Sequence, residues 1–336
     1  MSIVGRKAAV DYPAAGVSRR DSGPSVRGGE DALVSLHEPT ARVVQQLRHA
    51  RLRLERATSP ELRLDPAIRA LGRTELRLDR PLRVAVLGEI NSGKSSLANL
   101  LAGIESLPTA VISNTRIPTL LYYAPEPEIW TAYHDGGRER LRSDRGMALD
   151  SIFRIEVGLP STRLRAMQIL DLPGLSDLRS GGPVIDLAFH QIDAALWCTM
   201  STQAWKESER VAWSMLPARL HKRGILVSTH CDLLHDPADR HKLLARLRQD
   251  VGTSFRSIVL ISTTEALGIM ERDRKGGLAG AAWLTSGAET LSIGLATMLS
   301  ELREQRAAAA LKMTGRIAQR ALLRIDERPA PPWTSV

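Results

Sequence analysis

Aromatic residues are scarce in this chain: Phe, Trp and Tyr together make up 4% of its 336 residues. A surface that stacks successive bases of a nucleic acid is therefore not the first expectation. There are two cysteines, Cys198 and Cys231, both in or beside strand-like runs, so no disulfide framework is indicated and a reducing cytoplasm is the natural setting. No apolar run approaches the roughly 18–20 residues that span a bilayer. The opening residues, MSIVGRKAAVDYPAAG, hold no sustained apolar core behind their basic pair, which argues against a secretory leader. Lysine is scarce too: of 46 basic residues 7 are Lys and 39 are Arg, against 37 acidic ones. The net charge of +9 fits attraction to nucleic acid or anionic lipid, and fits equally well an arginine-rich codon usage.

What is present is an ordinary globular composition, 43% hydrophobic and 25% charged. Residues 1–30 mix Gly, Ser, Pro and Arg without periodicity and read as a disordered tail. Val43, Leu47, Ala50 and Leu54 then recur at helical spacing behind Pro39, which suits a first turn. Ser59–Pro81 reads as a connector with at most a short helix, completing an N-terminal helical segment over 31–80.

From Leu82 the pattern alternates between β and α. Leu82–Leu87, Thr119–Tyr123, Ala194–Met200, Gly224–His230 and Ser257–Ser262 are short runs, mostly apolar, that suit strands buried on both faces. Glu128–Leu141 reads as a hairpin turning at Asp135-Gly136-Gly137, and FRIEVGL and AMQILDL as a further strand pair. Helices are expected at about 204–220 and 237–250. The fold class that follows is α/β, a mostly parallel sheet with helices on both faces, over residues 81–270. Residues 271–328 comprise a Gly/Ala-rich insertion and a long helix from Thr290 to about Ile325, striped by Leu291, Leu295, Met298 and Leu302. Residues 329–336 form a Pro-rich tail. The two flanking helical segments either form a short bundle or pack separately on the sheet.

Gly88-x4-Gly93-Lys94-Ser95, between a strand and a helix, is the pattern of a phosphate-binding loop in its proper context. Its glycines let backbone N–H groups curl around a β-phosphate. Lys94 would reach the β- and γ-phosphates, Ser95 would hold Mg²⁺, and the helix N-terminus adds partial positive charge. Asn91, Ser92 and Ser96 complete the loop. Asp171-Leu172-Pro173-Gly174 ends an apolar strand: the acid suits Mg²⁺, usually through water, and Gly174 can turn an N–H toward the γ-phosphate. Thr229-His230-Cys231-Asp232 ends a later strand, where Asp232 can accept the two hydrogen bonds that guanine, unlike adenine, offers. Ser262-Thr263 ends the strand after that.

In this order the motifs resemble those of a P-loop GTPase, and more narrowly those of the dynamin superfamily and its bacterial members. GEINSGKSS, LPTAVISNTRIPTLLYY (Leu107–Tyr123) and FRIEVGLPSTRLRAMQILDLPGLSD (Phe153–Asp177) carry the narrower resemblance. It implies a GTPase domain over 81–270 that uses GTP and Mg²⁺. It also implies that Thr115 is the switch threonine closing on Mg²⁺, with Ser113 and Thr119 as alternatives. Asn91 matches a polar position that holds K⁺ or Na⁺ in relatives that dimerise through their nucleotide faces; simple loop capping is the other reading. Two departures stand out. Ile90 occupies the place of the family's catalytic glutamine, which implies slow hydrolysis or help from a partner, and His230 replaces the usual lysine.

The leading expectation is a GTP-hydrolysing switch controlling self-association, as a homodimer through the nucleotide face, or association with an anionic membrane surface from the cytoplasm. The alternatives are a GTP-dependent partner-binding module with little turnover, and an Era- or TrmE-like GTPase acting on RNA or ribosomes, against which no recognisable RNA-binding module follows. Trp205 and Trp213, eight apart on an expected helix, read as core packing or as a surface for a second GTPase domain.

Overall fold

The computed structural model describes residues 38–57, 65–106, 117–141, 151–173, 191–275 and 280–326. Thr115, Ser113, Gly174 and the two expected tails lie outside them. In chain order the elements begin with helices α1 (Glu38–Ala57) and α2 (Asp65–Asp79), strand β1 (Leu82–Gly88) and α3 (Lys94–Ala102). Next come β2 (Thr119–Tyr123), β3 (Glu128–Tyr133), β4 (Arg138–Arg140), β5 (Ile152–Leu159), the single turn α4 (Arg163–Ala166) and β6 (Met167–Asp171). The last part runs β7 (Ala194–Met200), α5 (Glu207–Ser214), α6 (Ala218–His221), β8 (Gly224–Thr229), α7 (Pro237–Val251) and β9 (Ser257–Leu260). It ends with α8 (Thr263–Arg274), α9 (Gly280–Thr285) and α10 (Ala288–Asp326).

The described strands form one sheet in the order β4-β3-β5-β2-β6-β1-β7-β8-β9. Strands β6, β1, β7, β8 and β9 are parallel, and β2 joins them antiparallel through β6. FRIEVGL and AMQILDL are therefore not neighbours: β2 lies between them, parallel to β5 and antiparallel to β6. The hairpin is as expected, with Gly136 at φ 88 in its turn. Period-two alternation sends the β1 side chains to both faces. Leu82, Val84 and Val86 join the core beneath α3, α8 and α10, and Ala85 and Leu87 join the core beneath α5, α6 and α7. Both faces are covered, which is why these strands read as continuous apolar runs.

The expected helix over 204–220 is broken. A 3-10 turn at Ser201–Gln203 leads to Trp205, whose φ of 61 is left-handed, and Pro217 separates α5 from α6. The break is anchored by Glu209, a carboxylate 2% exposed. It accepts hydrogen bonds from Thr199 Oγ1 (2.8 Å), the Lys206 amide (2.9 Å) and Trp197 Nε1 (3.3 Å). Thr199 Oγ1 in turn accepts the Trp205 amide at 3.0 Å. Trp205 and Trp213 are both buried, Trp213 stacking on Phe255 with centroids 4.2 Å apart and both rings meeting Trp197 edge-on. They hold the core together and offer no docking surface.

Ser59–Pro81 contains more helix than expected. The 15-residue α2 buries Leu71, Glu75 and Leu78, and its stripe was obscured by a charged residue in the middle. Glu75 receives Arg48 at 2.8 Å and Arg51 at 3.1 Å from α1. Hydrogen bonding from Arg48, then from Arg51, outweighs burial and holds its carboxyl below the ordinary range. Val43 and Leu47 of α1 pack with Leu78 of α2 and with Ala307 and Ala310 of α10, whereas Leu54 and Ile68 meet Ala321. Hence α1 runs parallel to α10, and α2 antiparallel to both. The 39-residue α10 does two jobs: Leu291, Leu295, Met298, Leu299 and Leu302 belong to the sheet core, and the half after Ala307 belongs to the three-helix bundle. The bundle and the sheet-packing readings thus each describe part of one helix.

Candidate functional site

The expected phosphate loop joins β1 to α3, and its backbone explains its residues. Gly88 has φ 143, and a Cβ there would lie 2.3 Å from the Cys198 carbonyl oxygen and 2.7 Å from Ser92 Oγ. Gly93 has φ 81 and forms the left-handed entry to α3, its Cα hydrogen facing Thr229 and His230 with no room to spare. Between them Asn91 sits at φ 62, a conformation asparagine tolerates better than most residues, with its side chain exposed. Ile90 is 64% exposed, so nothing apolar in the fold requires it.

Lys94 Nζ donates to the Glu89 carbonyl at 2.6 Å, folding the ammonium over the loop. Ser95 Oγ donates to Asp171 Oδ2 at 3.2 Å, so the hydroxyl from α3 and the acid at the end of β6 meet across the β1–β6 pair. Burial is the main influence on Asp171 and pushes its carboxyl up to about 6, while the Lys94 charge and the Ser95 hydrogen bond pull the other way. Asp171 Oδ1 and Ser92 Oγ are buried without a hydrogen-bond partner. A hydroxyl and a carboxylate with an unsatisfied oxygen form the donor set that a hard cation such as Mg²⁺ prefers.

The residues expected at the base lie on the next strands over. Thr229 Oγ1 is 2.8 Å from the Ser92 carbonyl, 3.1 Å from the Thr199 carbonyl and 2.9 Å from His230 Nδ1, which ties β7, β8 and the loop together. His230 adopts φ 56 and caps a 3-10 turn, Cys231–Leu233, that carries the half-buried Asp232. The Cys231 amide donates to the Ile261 carbonyl at 3.3 Å and brings Ser262 and Thr263 alongside. The Ser262 hydroxyl caps α8 by accepting from the Glu265 amide, its own amide donates to the Ser286 carbonyl, and Thr263 is buried. Gly88, Asn91, Ser92, Gly93, Lys94, Ser95, Ser96, Asp171, Thr229, His230 and Asp232 all gather at the C-terminal ends of the parallel strands. Thr115 and Gly174 lie outside the described residues.

Sequence reasoning missed the brace behind the loop. Glu89 accepts from Lys206 Nζ at 3.0 Å and from Ser208 Oγ at 2.5 Å. Burial pushes its carboxyl up, but those two hydrogen bonds and the Lys206 and Lys94 charges outweigh it and hold it below the ordinary range. Through Lys206, whose amide donates to buried Glu209, the loop is tied to the tryptophan core. An acid inside the loop was the available signal, but its partners lie about 120 residues downstream, beyond the reach of a local motif.

The sequence profile of the dynamin family matches residues 84–231. Dynamin-like protein 2 of Campylobacter jejuni is 28% identical over 196 residues, 56% of this chain and 32% of that protein. The isoniazid-induced protein IniC of Mycobacterium tuberculosis is 32% identical over 145 residues, 40% of this chain and 29% of that protein. The chain thus spans about a third of these relatives' length. Among solved structures, an oligomerised bacterial dynamin pair, described as a mechanism for long-range sensing and tethering of membranes, superposes with a TM-score of 0.58. It is 18% identical, covering 89% of this chain and 57% of that one, a likeness of fold. Among the described residues no helix is long and apolar enough to cross a membrane. The glycine loop, the acid at the end of β6 and the turn after β8 stand in one order on one edge of the sheet, and from Val84 to Cys231 the chain matches the sequence profile of the dynamin family.

Proposed function

We propose that the domain binds GTP with Mg²⁺, hydrolyses it to GDP and phosphate, and uses its nucleotide state to control self-association or attachment to a membrane surface. The observation that supports this reading best is the Ser95–Asp171 contact, 3.2 Å, at the mouth of a glycine loop. Ser95 and Asp171 would hold Mg²⁺, which when bound neutralises phosphate charge. Lys94 would leave the Glu89 carbonyl for the phosphates, Asp232 would select guanine, and His230, already against the loop, would flank the base. Thr115 is assigned the attacking water and Gly174 the γ-phosphate. Asn91 is assigned a K⁺ or Na⁺ ion, its exposed position at the loop tip supporting a cation shared with a second nucleotide face.

Ile90 supports a second reading, a GTP-dependent partner switch with little turnover, because an exposed apolar side chain cannot orient water. Affinity for GTP against ATP, followed by phosphate release with and without K⁺ or Na⁺ at rising protein concentration, separates the readings. Preference for GTP with a rate that climbs with protein and with the cation is expected. Preference for ATP would overturn the base assignment, and a rate indifferent to both variables would remove the cation-assisted dimer.

A further inference from the structure

The end of the sheet away from the nucleotide loop holds a second concave site. A cleft of about 550 Å³ runs between α2 and α10, with Leu82 at the start of β1, Asp193 just before β7 and Arg223 just before β8 in its lining. Asp193 is the only acid among the described residues that line it, and it is already occupied. Arg306 Nη2 lies 2.6 Å from one oxygen, and Arg80 Nη2 (3.1 Å) and the Arg83 amide (2.9 Å) meet the other. Arg73 and Arg77, one turn apart on α2, and Arg223 reach no described carboxylate within ion-pair distance. Beside the cleft, outside its lining, burial and neighbouring arginines lower the guanidinium of Arg80 and bring Arg83 and Arg303 down to about 10. Four arginines, Arg73, Arg77, Arg223 and Arg306, thus share the lining with one acid, and positive charge is gathered in a concave recess.

The recess is not purely polar. Leu78 and Leu302 form buried parts of its wall, and Met313 lies at its outer end, 47% exposed. From Leu302 to Met313 the helical wall extends about 16 Å, too long a trough for a bare ion. We propose that this cleft binds a phosphate-bearing amphiphile, with its anionic group on Arg73, Arg77 and Arg223 and its apolar part along Leu78, Leu302 and Met313. Guanidinium forks match phosphate oxygens in pairs, and the apolar wall rewards a chain attached to them. The site is separate from the nucleotide loop, and the proposal does not depend on GTP hydrolysis.

The test is calorimetric titration of the full chain in a Lys94→Ala background, which removes the competing phosphate loop. The probes are dioctanoyl phosphatidic acid below its aggregation limit, dioctanoyl phosphatidylcholine, inorganic phosphate, and vesicles with and without phosphatidic acid. Saturable one-to-one binding of the soluble phosphatidic acid is expected, with inorganic phosphate weaker and phosphatidylcholine weaker still. Arg73→Glu with Arg77→Glu on exposed α2 should weaken it by about tenfold or more. Arg73→Gln with Arg77→Gln should weaken it less, with thermal melting confirming that both variants stay folded. Met313→Ala should weaken the amphiphile and leave inorganic phosphate unchanged. Equal affinity for inorganic phosphate and amphiphile would overturn the amphiphile assignment. Binding to vesicles alone would make the arginines a flat surface patch instead of a site, and undiminished binding in both arginine variants would remove the site altogether.

Discussion

The two ends of the parallel strands differ in chemistry although they belong to the same sheet. At the C-terminal ends stand glycines, hydroxyls and acids, with Lys94 as the cation aimed inward. At the N-terminal ends stand arginines gathered about Asp193. The first end is built from backbone conformations that only a few residues adopt, at Gly88, Asn91, Gly93 and His230. The second has none of these and rests on long, forked side chains. Backbone-built sites leave motifs in a sequence, whereas side-chain clusters drawn from distant segments do not.

The sharpest way to break the contrast is at the nucleotide end. Lys94→Ala should lower GTP affinity by about 100-fold or more, since one preorganised charged donor to a phosphate is worth about that much. Titration with a fluorescent GTP analogue measures it, and unchanged affinity would sink the phosphate-loop assignment. The arginine end should respond in stability instead. Asp193→Asn leaves Arg80 and Arg306 facing each other, and a loss of about 2–3 kcal/mol is expected. That is below the figure for a fully buried pair because these groups keep some solvent contact. Chemical denaturation would show it, while nucleotide affinity should stay unchanged.

The smallest effect tests the bundle. Glu75 has a carboxyl held below the ordinary range in the folded state, so it stabilises above the unfolded value of about 4.3 and loses that contribution as pH falls through the lower folded value. Glu75→Gln should cost about 1 kcal/mol at pH 7, because Arg48 is largely exposed, and nothing once the wild-type carboxyl is protonated. Melting curves taken from pH 7 downward should show the difference closing as the carboxyl protonates, and a difference that stays constant through the acid range would remove this role for Glu75.

The strands and the glycine loop were legible because burial on both faces forces apolar runs, and because glycines at left-handed positions leave fixed spacings. The tryptophan segment was misread for a physical reason. Trp205 and Trp213 lie eight apart, yet a left-handed residue and Pro217 cut the helix, and both side chains reach the same core from separate pieces. Helix α2 was under-read because Glu75, on its buried face, has partners on another helix. Glu89 and Asp193 were invisible as organisers for the same reason: their value lies in residues about 110–120 positions away.

One consequence of α10 concerns the order of assembly. Leu47 of α1 finds its partner Ala310 about 260 residues later in the chain, so this contact carries a high closure cost and forms late. During synthesis α1 and α2 emerge before the strands and well before α10, so the face they turn to α10 waits while the strands can already pair. The bundle closes only once α10 has been made, and until then the glycine-loop edge of the sheet has to stand without it.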